Sequence, residues 1–174
     1  MASEQEIRAG LGAQLTRLWR YGAMLSHHRD TADDLVQATC LRALERAAQF
    51  SPGTRLDHWL FSILHSIWLN EVRSRRVREG QGFVEAAEAL IFDGAATTET
   101  HILAMQVMDH VHALPEAQRS VVFLCYVEGL SYREVADVLD IPIGTVMSRL
   151  AAARARIAEA TAPRLPTFSR GGAQ

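Results

Sequence analysis

The sequence predicts an all-α protein built from two small helical domains that are joined by a flexible linker. Apolar residues recur at helical spacing along most of the 174 residues, and no alternating apolar and polar run is flanked by hairpin turns. An acidic segment rich in Gly, Ala and Thr interrupts this helical pattern after residue 79. The chain is long enough for two small domains of this kind.

The first domain, residues 1–79, is expected to begin with two helices. The first helix begins at Ser3, where Glu6 completes a capping box. The second begins near Thr31, with Asp34 as its capping partner. The apolar stripe of the first helix contains Ile7, Leu11, Leu15, Leu18 and Leu25. The predicted buried face of the second contains Val36, Cys40, Ala43, Leu44 and Ala47.

A third helix follows the Ser-Pro-Gly turn at residues 51–53. Thr54 caps this helix, and Asp57 is its capping partner. Its apolar stripe contains Leu56, Trp59, Leu60, Ile63, Leu64 and Ile67. It ends in a cluster of basic residues, Arg73, Arg75, Arg76 and Arg78. Basic residues in this position suit phosphate binding, and they equally suit the negative end of an ordinary helix dipole.

The rest of the chain divides into three parts. Residues 80–98 are the acidic linker, residues 99–161 are a second helical domain, and residues 162–174 form a disordered tail. Within the second domain, Pro115 opens a helix at its first turn, and Gly129 ends it after about Val127.

Residues 131–157 have the pattern of a helix-turn-helix. Ser131 and Glu134 form a capping box for a helix that ends near Leu139. A turn at residues 140–142 leads to a longer helix over about residues 143–160. The apolar contacts between the two helices are assigned to Val135, Ala136, Leu139, Ile141, Val146, Leu150 and Ala153.

The second helix of such a motif enters the DNA major groove with its early residues facing the base edges. Thr145, Ser148 and Arg149 occupy that early part. An Arg that donates two hydrogen bonds to guanine gives about 1–3 kcal/mol of base discrimination. Arg154 and Arg156 lie further along and are expected to contact phosphates. A plain helical hairpin is the alternative interpretation of the same pattern.

The distribution of charge supports nucleic-acid contact more than the net charge of −2 does. Residues 1–80 contain 11 Arg and 9 acidic residues, and residues 145–174 contain 5 Arg and 1 acidic residue. Between them, residues 81–144 contain 2 Arg and 10 acidic residues. Two basic regions separated by an acidic one are typical of nucleic-acid contact, although a solvated surface is also compatible.

Other classes of function find little support in the sequence. The two cysteines lie far apart and are predicted to be reduced, and the histidines show no metal-ligand spacing, so neither a metal nor a cofactor is expected. No nucleophile–base set or phosphate-binding loop is present, which argues against an enzyme; His58 and His65 near Asp57 are a weak exception. The start of the chain lacks the pattern of a secretory signal, and no membrane segment is evident, so we expect a cytoplasmic protein.

Three stretches of the second domain resemble region 4 of the sigma-70 family, in the form of its extracytoplasmic-function group. They are residues 114–116, 126–136 and 141–150. The resemblance implies binding to the −35 promoter element and to the flap of RNA polymerase. The implied DNA-contacting residues are Arg133, Thr145, Met147, Ser148, Arg149, Ala152, Arg154 and Arg156. Relatives commonly have basic residues at the positions of Met147 and Ala152, so the base contacts of this chain are expected to differ.

The first domain independently resembles region 2 of the same family. Residues 32–37 and 41–43 resemble the part that docks on the polymerase clamp, which implies contacts from Asp33, Asp34, Leu35, Gln37, Leu41 and Arg42. Residues 56–63 and 70–76 resemble the part that melts and reads the −10 element. The implied −10 residues are Ser51, Thr54, Arg55, Trp59, Ser62, Ser66, Asn70, Arg73, Arg75 and Arg76. Many relatives have Asn in place of Ser66, so the −10 preference is expected to differ.

The resemblance implies a sigma factor that binds core RNA polymerase and both double- and single-stranded promoter DNA, controlled by an anti-sigma factor. In relatives the segment between the two domains passes toward the polymerase active site, and an acidic linker suits a path meant for RNA. Two alternatives remain open. In the first, the chain is a stand-alone helix-turn-helix regulator. In the second, it is a sigma-like decoy that titrates an anti-sigma factor without starting transcription.

Overall fold

The computed structural model describes residues 2–51, 53–79 and 108–161. The helices are α1 (Ala2–Ser26), α2 (Arg29–Glu45), α3 (Leu56–Glu79), α4 (Glu116–Val122), α5 (Tyr132–Leu139) and α6 (Ile143–Thr161). A 3₁₀ turn (Ala47–Gln49) follows α2, residues 108–112 are helical, and a π-helical turn (Phe123–Val127) extends α4. These ranges contain no strand, which confirms the all-α prediction. The predicted linker and tail lie outside the described residues.

Helices α1, α2 and α3 pack against one another around a shared apolar core. Tyr21 and Met24 of α1 and Leu60, Phe61 and Leu64 of α3 are fully enclosed in it. The predicted apolar stripe of α1 is largely confirmed, because Ile7, Leu18 and Leu25 are buried. Leu15 of that stripe instead points outward and is 42% exposed.

The capping box predicted at Thr31 and Asp34 is wrong, and α2 begins two residues before the predicted start near Thr31. The helix begins at Arg29, and its cap residue His28 makes no side-chain capping bond. Ser26 organises the connection instead: its hydroxyl donates to the carbonyl of Gly22 and accepts from the backbone N–H of His28. The local capping signal at Thr31 was therefore overridden by a tight connection that ends α1 and starts α2 within two residues.

The buried face of α2 is also rotated relative to the prediction. Ala32, Leu35, Thr39 and Ala43 are its buried residues. Three members of the predicted face, Val36, Cys40 and Leu44, are only half-buried. Helix α2 packs against both α1 and α3, so its inward direction is set by two neighbours.

Helix α3 begins at Leu56, one residue later than a cap at Thr54 predicts. The carbonyl of Arg55 accepts the first bond of the helix from the N–H of Trp59. The Asp57 carboxylate accepts from the N–H of His58. The basic end of α3 is as predicted, since the helix continues to Glu79.

The boundaries of the second group of helices lie close to the predicted ones. Pro115 stands just before α4 and not inside its first turn. The predicted helix over residues 115–127 is α4 together with the π-helical turn. Gly129 has a φ of 72°, a left-handed conformation that a glycine adopts without strain, and it ends this segment as predicted.

The helix-turn-helix is confirmed in both its helices and its turn. The Ser131 side chain accepts from the N–H of Glu134, and the Glu134 carboxylate accepts from the N–H of Ser131, which completes the capping box. Asp140 ends α5 in the left-handed region, with a φ of 52°. Six of the seven predicted contact residues are buried, and Ile141 is half-buried.

The two groups of helices also pack on each other, which the sequence did not predict. Helix α3 contacts α5, and α1 contacts α4. Tyr21 lies at the centre of this interface, with its ring 5.5 Å from the rings of both Phe61 and Phe123, measured between centroids. The described helices therefore form a closed arrangement in which α1–α3 and α4–α6 share buried surface.

Candidate nucleic-acid interface

Helix α6 presents a continuous outer face to solvent. Its inward side is apolar, since Val146, Leu150 and Ala153 are buried against α4 and α5. Among the predicted −35 residues, the exposed ones are Arg133 on α5 and Met147, Ser148, Ala152, Arg154 and Arg156 on α6. The geometry matches what a recognition helix requires: a rigid inner face and a free outer one.

Two of the predicted −35 residues are less accessible. Thr145 and Arg149 are half-buried. Arg149 lies near enough to α3 that its charge, together with burial, lowers the pKa of His65 to about 4, with burial as the larger cause. The candidate guanine-reading side chain of α6 therefore stands beside the other group of helices in this arrangement.

The predicted −10 residues of α3 form one stripe along the helix. Trp59, Ser62, Ser66, Asn70 and Arg73 follow one another at intervals of three or four residues, which places them on one face. Trp59 is half-buried beside Phe50, with the ring centroids 5.1 Å apart. Ser66, Asn70, Arg73 and Arg76 are exposed, and the half-buried Arg75 donates to Glu71.

The loop before α3 carries the remaining −10 candidates, Ser51, Thr54 and Arg55, all of which are exposed. Arg55 is held by two acidic residues. Its guanidinium donates to both carboxylate oxygens of Asp57, at 3.2 and 2.8 Å, and to the carboxylate of Glu134 on α5, at 3.0 Å. The side chain best placed to meet a DNA phosphate or base in this loop is thus occupied by carboxylates.

A crevice of about 410 Å³ separates the α3 stripe from the helix-turn-helix. One wall comprises Ser62, His65, Ser66, Leu69, Asn70 and Arg73, and the opposite wall is residues 137–141. That second wall contributes two carboxylates, from Asp137 and Asp140. Four of the predicted −10 residues therefore face the turn of the helix-turn-helix across a narrow gap.

The predicted polymerase-binding residues lie on α2 and are divided by burial. Asp34 and Gln37 are exposed, Leu41 is an apolar side chain that is 60% exposed, and Arg42 is half-buried. Leu35 is only 4% exposed and belongs to the core of α1–α3. A burial of this degree makes Leu35 a support for the helix and leaves little surface for a contact.

A second crevice, of about 480 Å³, lies between α1 and α2 and was missed from the sequence. Trp19 of α1 donates to the Asp33 carboxylate at 2.8 Å, and Arg29 stacks over the Trp19 ring. The crevice is lined by Leu15, Thr16, Trp19, Arg29, Asp33, Val36 and Gln37. The exposed Leu15 marks this crevice in the structure, but its spacing in the sequence fits the buried stripe of α1, so the sequence did not indicate that it is exposed.

Polar contacts between the two groups of helices were also missed. Arg17 of α1 donates to Glu128 at 2.7 Å and to Asp57 at 3.1 Å, and it lies over the Phe61 ring. The Glu128 side chain is only 4% exposed. Burial opposes ionisation of Asp57, but hydrogen bonds from Arg55 and Arg17 outweigh it and lower the Asp57 pKa to about 2.

Arg119 of α4 is a buried guanidinium that serves both groups of helices. It donates to the carbonyls of His112 and Leu114, and it reaches the carbonyl of Leu25 at the end of α1. Nearby, the rings of His27 and His112 lie 5.3 Å apart. The pKa of His27 is lowered to about 4 by burial and by the neighbouring charges of Arg119, His112 and His28.

Three features of the described residues bear on other kinds of site. No group of three or more metal-ligating side chains occurs in these ranges. None of the helices described here combines the length and the apolar character that crossing a membrane requires. Cys40 and Cys125 are unpaired and half-buried, and burial raises the pKa of both thiols.

Two protein families match this chain, each over one of the two groups of helices. The family described as Sigma-70, region 4 matches residues 104–157, which include α4, α5 and most of α6. The family described as the Sigma2 domain of PhyR matches residues 11–65, which include most of α1, all of α2 and the start of α3.

Curated proteins with similar sequences match over most of the chain. The ECF RNA polymerase sigma factor EcfG of Rhodopseudomonas palustris is 31% identical over 157 residues, which is 90% of this chain and 86% of that protein. The ECF RNA polymerase sigma factor SigC of Mycobacterium tuberculosis is 33% identical over 148 residues, covering 85% of this chain and 79% of that protein.

Solved structures give the same result for the fold. The sigma factor RpoE of Bartonella quintana, crystallised with the anti-sigma factor NepR, matches with a TM-score of 0.77 and 27% identity, covering 89% of this chain and 96% of that one. The PhyRSL–NepR complex of Sphingomonas sp. Fr1 matches with a TM-score of 0.62 and 20% identity, over 95% of each chain. At this identity the match indicates a shared fold only.

Proposed function

The chain belongs to the extracytoplasmic-function group of RNA polymerase sigma factors, and we propose that it binds core RNA polymerase and directs it to a particular set of promoters. Residues 1–79 are assigned to region 2 and residues 99–161 to region 4, with residues 80–98 as the linker and 162–174 as a tail. The observation that carries the proposal is the pairing of a free recognition helix, α6, with a polar and basic stripe on α3 in one chain.

We assign −35 recognition to the outer face of α6. Thr145, Ser148 and Arg149 occupy the early turns, where base edges are read, and Arg154 and Arg156 lie further along, where phosphates are expected. Arg133 on α5 is exposed on the helix that crosses the DNA backbone. Met147 and Ala152 place a thioether and a methyl group on this face, so their base contacts are apolar, such as contact with a thymine methyl.

We assign −10 melting and reading to α3 and the loop before it. Opening a duplex means unstacking a base and holding it in a pocket, at a cost of a few kcal/mol. Ser51, Thr54 and Arg55 are exposed and polar, which suits a pocket for a flipped base. Arg73, Arg75 and Arg76 at the basic end of α3 are assigned to phosphates, so binding is expected to weaken with salt.

We assign polymerase docking to the surface of α2 and the adjoining crevice on α1. Asp33, Asp34, Gln37, Leu41 and Arg42 supply its exposed or half-exposed groups, and Leu35 supports them from the core. Leu41, which is 60% exposed, adds an apolar side chain to this polar surface. Control by an anti-sigma factor is part of the proposal, because the similar RpoE was crystallised with one.

The test is reconstitution with sigma-free core polymerase and genomic DNA fragments from the source organism, followed by mapping of RNA 5′ ends. We expect discrete starts that share upstream −35 and −10 sequences. Arg149→Gln should weaken binding to the −35 element by about 1–3 kcal/mol, because one bidentate base contact is lost. Arg20→Gln, an exposed residue on α1, is the matched control and should leave the starts unchanged.

A sigma-like decoy is the second candidate. It is favoured by Met147 and Ala152 on the recognition helix, where relatives commonly have basic residues. In the same assay a decoy gives no RNA that depends on the protein, although it still binds an anti-sigma factor. A stand-alone regulator would instead bind promoter DNA specifically in the absence of core polymerase.

A further inference from the structure

The outer face of α6 consists mainly of carbon groups. Six of its exposed residues lie at helical spacing on the side away from the buried Val146 and Leu150, and we call them the outer row of α6. They are Gly144, Met147, Ser148, Ala151, Ala152 and Ala155. Met147 is the longest side chain of the outer row and is 53% exposed. Ser148 is its one polar member.

The outer row has little capacity to donate hydrogen bonds to a base. The Ser148 hydroxyl donates to the carbonyl of Thr145 in the same helix at 3.0 Å, so its proton is already used and only its oxygen is available to accept. Between residues 143 and 153 the one side chain with a nitrogen donor is that of Arg149. Arg149 lies beside the outer row and is half-buried. The outer row therefore offers a base edge one hydroxyl oxygen and several carbon groups.

The small residues of the outer row allow a partner to approach the helix closely. A Cβ atom added at Gly144 would meet no atom within 4 Å, so packing inside the protein does not require a glycine there. Glycine also weakens a helix relative to alanine, so helix stability gives no reason for it. Glycine does permit close approach of the backbone to a ligand. It stands at the start of α6, where a recognition helix meets base edges.

The edges of bases in the major groove present three kinds of group. They are hydrogen-bond acceptors, hydrogen-bond donors and the C5-methyl group of thymine. A row of carbon groups leaves a covered donor or acceptor without a partner, which costs free energy. The same row stabilises a methyl group, because contact removes apolar surface from water. Thymine is thus the base whose edge fits the outer row.

Resting on the proposed function, we infer that the outer row of α6 reads the −35 element through C5-methyl groups of thymine, and that Met147 contacts one of them. The unbranched thioether of Met147 adapts its shape to an apolar partner. Arg149 keeps its assignment to a guanine edge, and Arg154 and Arg156 keep theirs to phosphates. We therefore expect thymine in the −35 element and a requirement for its methyl group beyond its pairing with adenine.

The test removes single methyl groups from a promoter. A promoter mapped by reconstitution with core polymerase is synthesised as a series of fluorescein-labelled duplexes. In each duplex one thymine of the −35 element, on either strand, is replaced by deoxyuridine, which pairs like thymine and lacks only the C5-methyl group. Control duplexes carry the same replacement in the spacer between the −35 and −10 elements. The affinity of the complex of this protein with core polymerase is measured for each duplex.

We expect at least one replacement in the −35 element to weaken binding about fourfold, since burial of one carbon group is worth about that factor. Replacements in the spacer should leave the affinity unchanged. Equal affinity for thymine and deoxyuridine at every −35 position would overturn the inference, as would a −35 element without thymine on either strand.

Met147→Ala separates direct contact from an effect of the methyl group on DNA shape. Since Met147 is exposed, the substitution should cost little stability. At the position that Met147 contacts, the variant should bind the thymine and deoxyuridine duplexes equally, because the coupled partner of the methyl group is gone. Arg156→Gln is the matched control: it should weaken binding to both duplexes by the same factor and keep the preference for thymine. A full preference for thymine at every position in Met147→Ala would refute the contact.

Failure of the proposed function is a different outcome. It appears with thymine-containing DNA, as an absence of RNA that depends on the protein, and methyl reading of a −35 element then falls with it. RNA that depends on the protein, together with tolerance of deoxyuridine, would refute methyl reading alone and leave the assignment as a sigma factor intact.

Discussion

The two candidate DNA-reading helices differ in what covers them. The outer face of α6 is open to solvent, with Met147 53% exposed and Ser148, Arg154 and Arg156 exposed around it. The stripe of α3 faces a neighbouring helix across a crevice, and its loop is bound to carboxylates. Similar chemistry on two helices therefore does not make both equally accessible to DNA, because exposure to solvent depends on how the two groups of helices pack.

The largest expected effect comes from breaking the support of the open helix. Leu150 is fully buried beneath α6, so Leu150→Ala leaves a cavity and should lower the free energy of unfolding by about 2–5 kcal/mol. Urea denaturation followed by circular dichroism measures it. Met147→Ala, on the exposed side of the same helix, should cost less than about 0.5 kcal/mol. Similar losses for both variants would contradict the assignment of inner and outer faces.

The next effect breaks the contact that closes the two groups of helices. Glu128→Ala removes one of the two carboxylates that bind Arg17 and leaves Asp57 as the other, which should cost about 1–3 kcal/mol in the free energy of unfolding. Glu45→Ala, at an exposed position on α2, is the control and should change little. A loss no larger than that of the control would show that the Arg17–Glu128 pair contributes nothing to the closed arrangement.

Acid pH should weaken the same interface through His65. Its pKa in the folded chain is about 4, below the ordinary 6.5, so between these values the unfolded chain binds more protons than the folded one. Stability should therefore fall as the pH decreases from 6.5 to 4, by about 1–3 kcal/mol from this residue. Denaturation midpoints across this range measure it. His65→Gln should flatten part of the slope, and an unchanged slope would refute the assignment.

The smallest effect concerns the start of α5. This helix packs against both α6 and α3, so its cap bears on both candidate DNA-reading helices. Ser131→Ala removes one half of the capping box and should cost about 0.5–2 kcal/mol in the free energy of unfolding. Thermal unfolding measures the change. Ser148→Ala, whose hydroxyl donates only to the carbonyl of Thr145 in its own helix, should be close to neutral. Equal shifts for the two Ser variants would argue against a special role for the cap.

Local signals in the sequence predicted local structure well. The capping box at Ser131 and the break at Gly129 were read correctly because each depends on a few neighbouring residues. The predicted start of α2 was late by two residues because Ser26, at the end of the preceding helix, binds the backbone of Gly22 and His28 and so fixes a connection that starts α2 at Arg29. The hydrogen bonds of Ser26, in the preceding helix, therefore decided the start of α2, and the capping sequence at Thr31 did not.

The candidate site was predicted in part, and for a related reason. Spacing placed the α3 stripe and the outer face of α6 on the expected faces, since both follow from helical geometry. The Arg55–Glu134 and Arg17–Glu128 contacts could not be predicted, because the residues of each pair are separated by 79 and 111 positions. The spacing of apolar residues within one helix predicts which face is buried, but it does not predict which distant helix packs on that face.

The planar guanidinium of Arg119 connects the end of α1 to the residues before α4 through hydrogen bonds to three backbone carbonyls. The guanidinium is flat and its N–H groups diverge in fixed directions, so the carbonyls of Leu25, His112 and Leu114 must converge in matching positions around it. A Lys in its place would keep the charge but lose this fork. Arg119 therefore helps to fix the position of the end of α1 relative to the start of α4, and Arg119→Lys would lose the hydrogen bonds that depend on the fork.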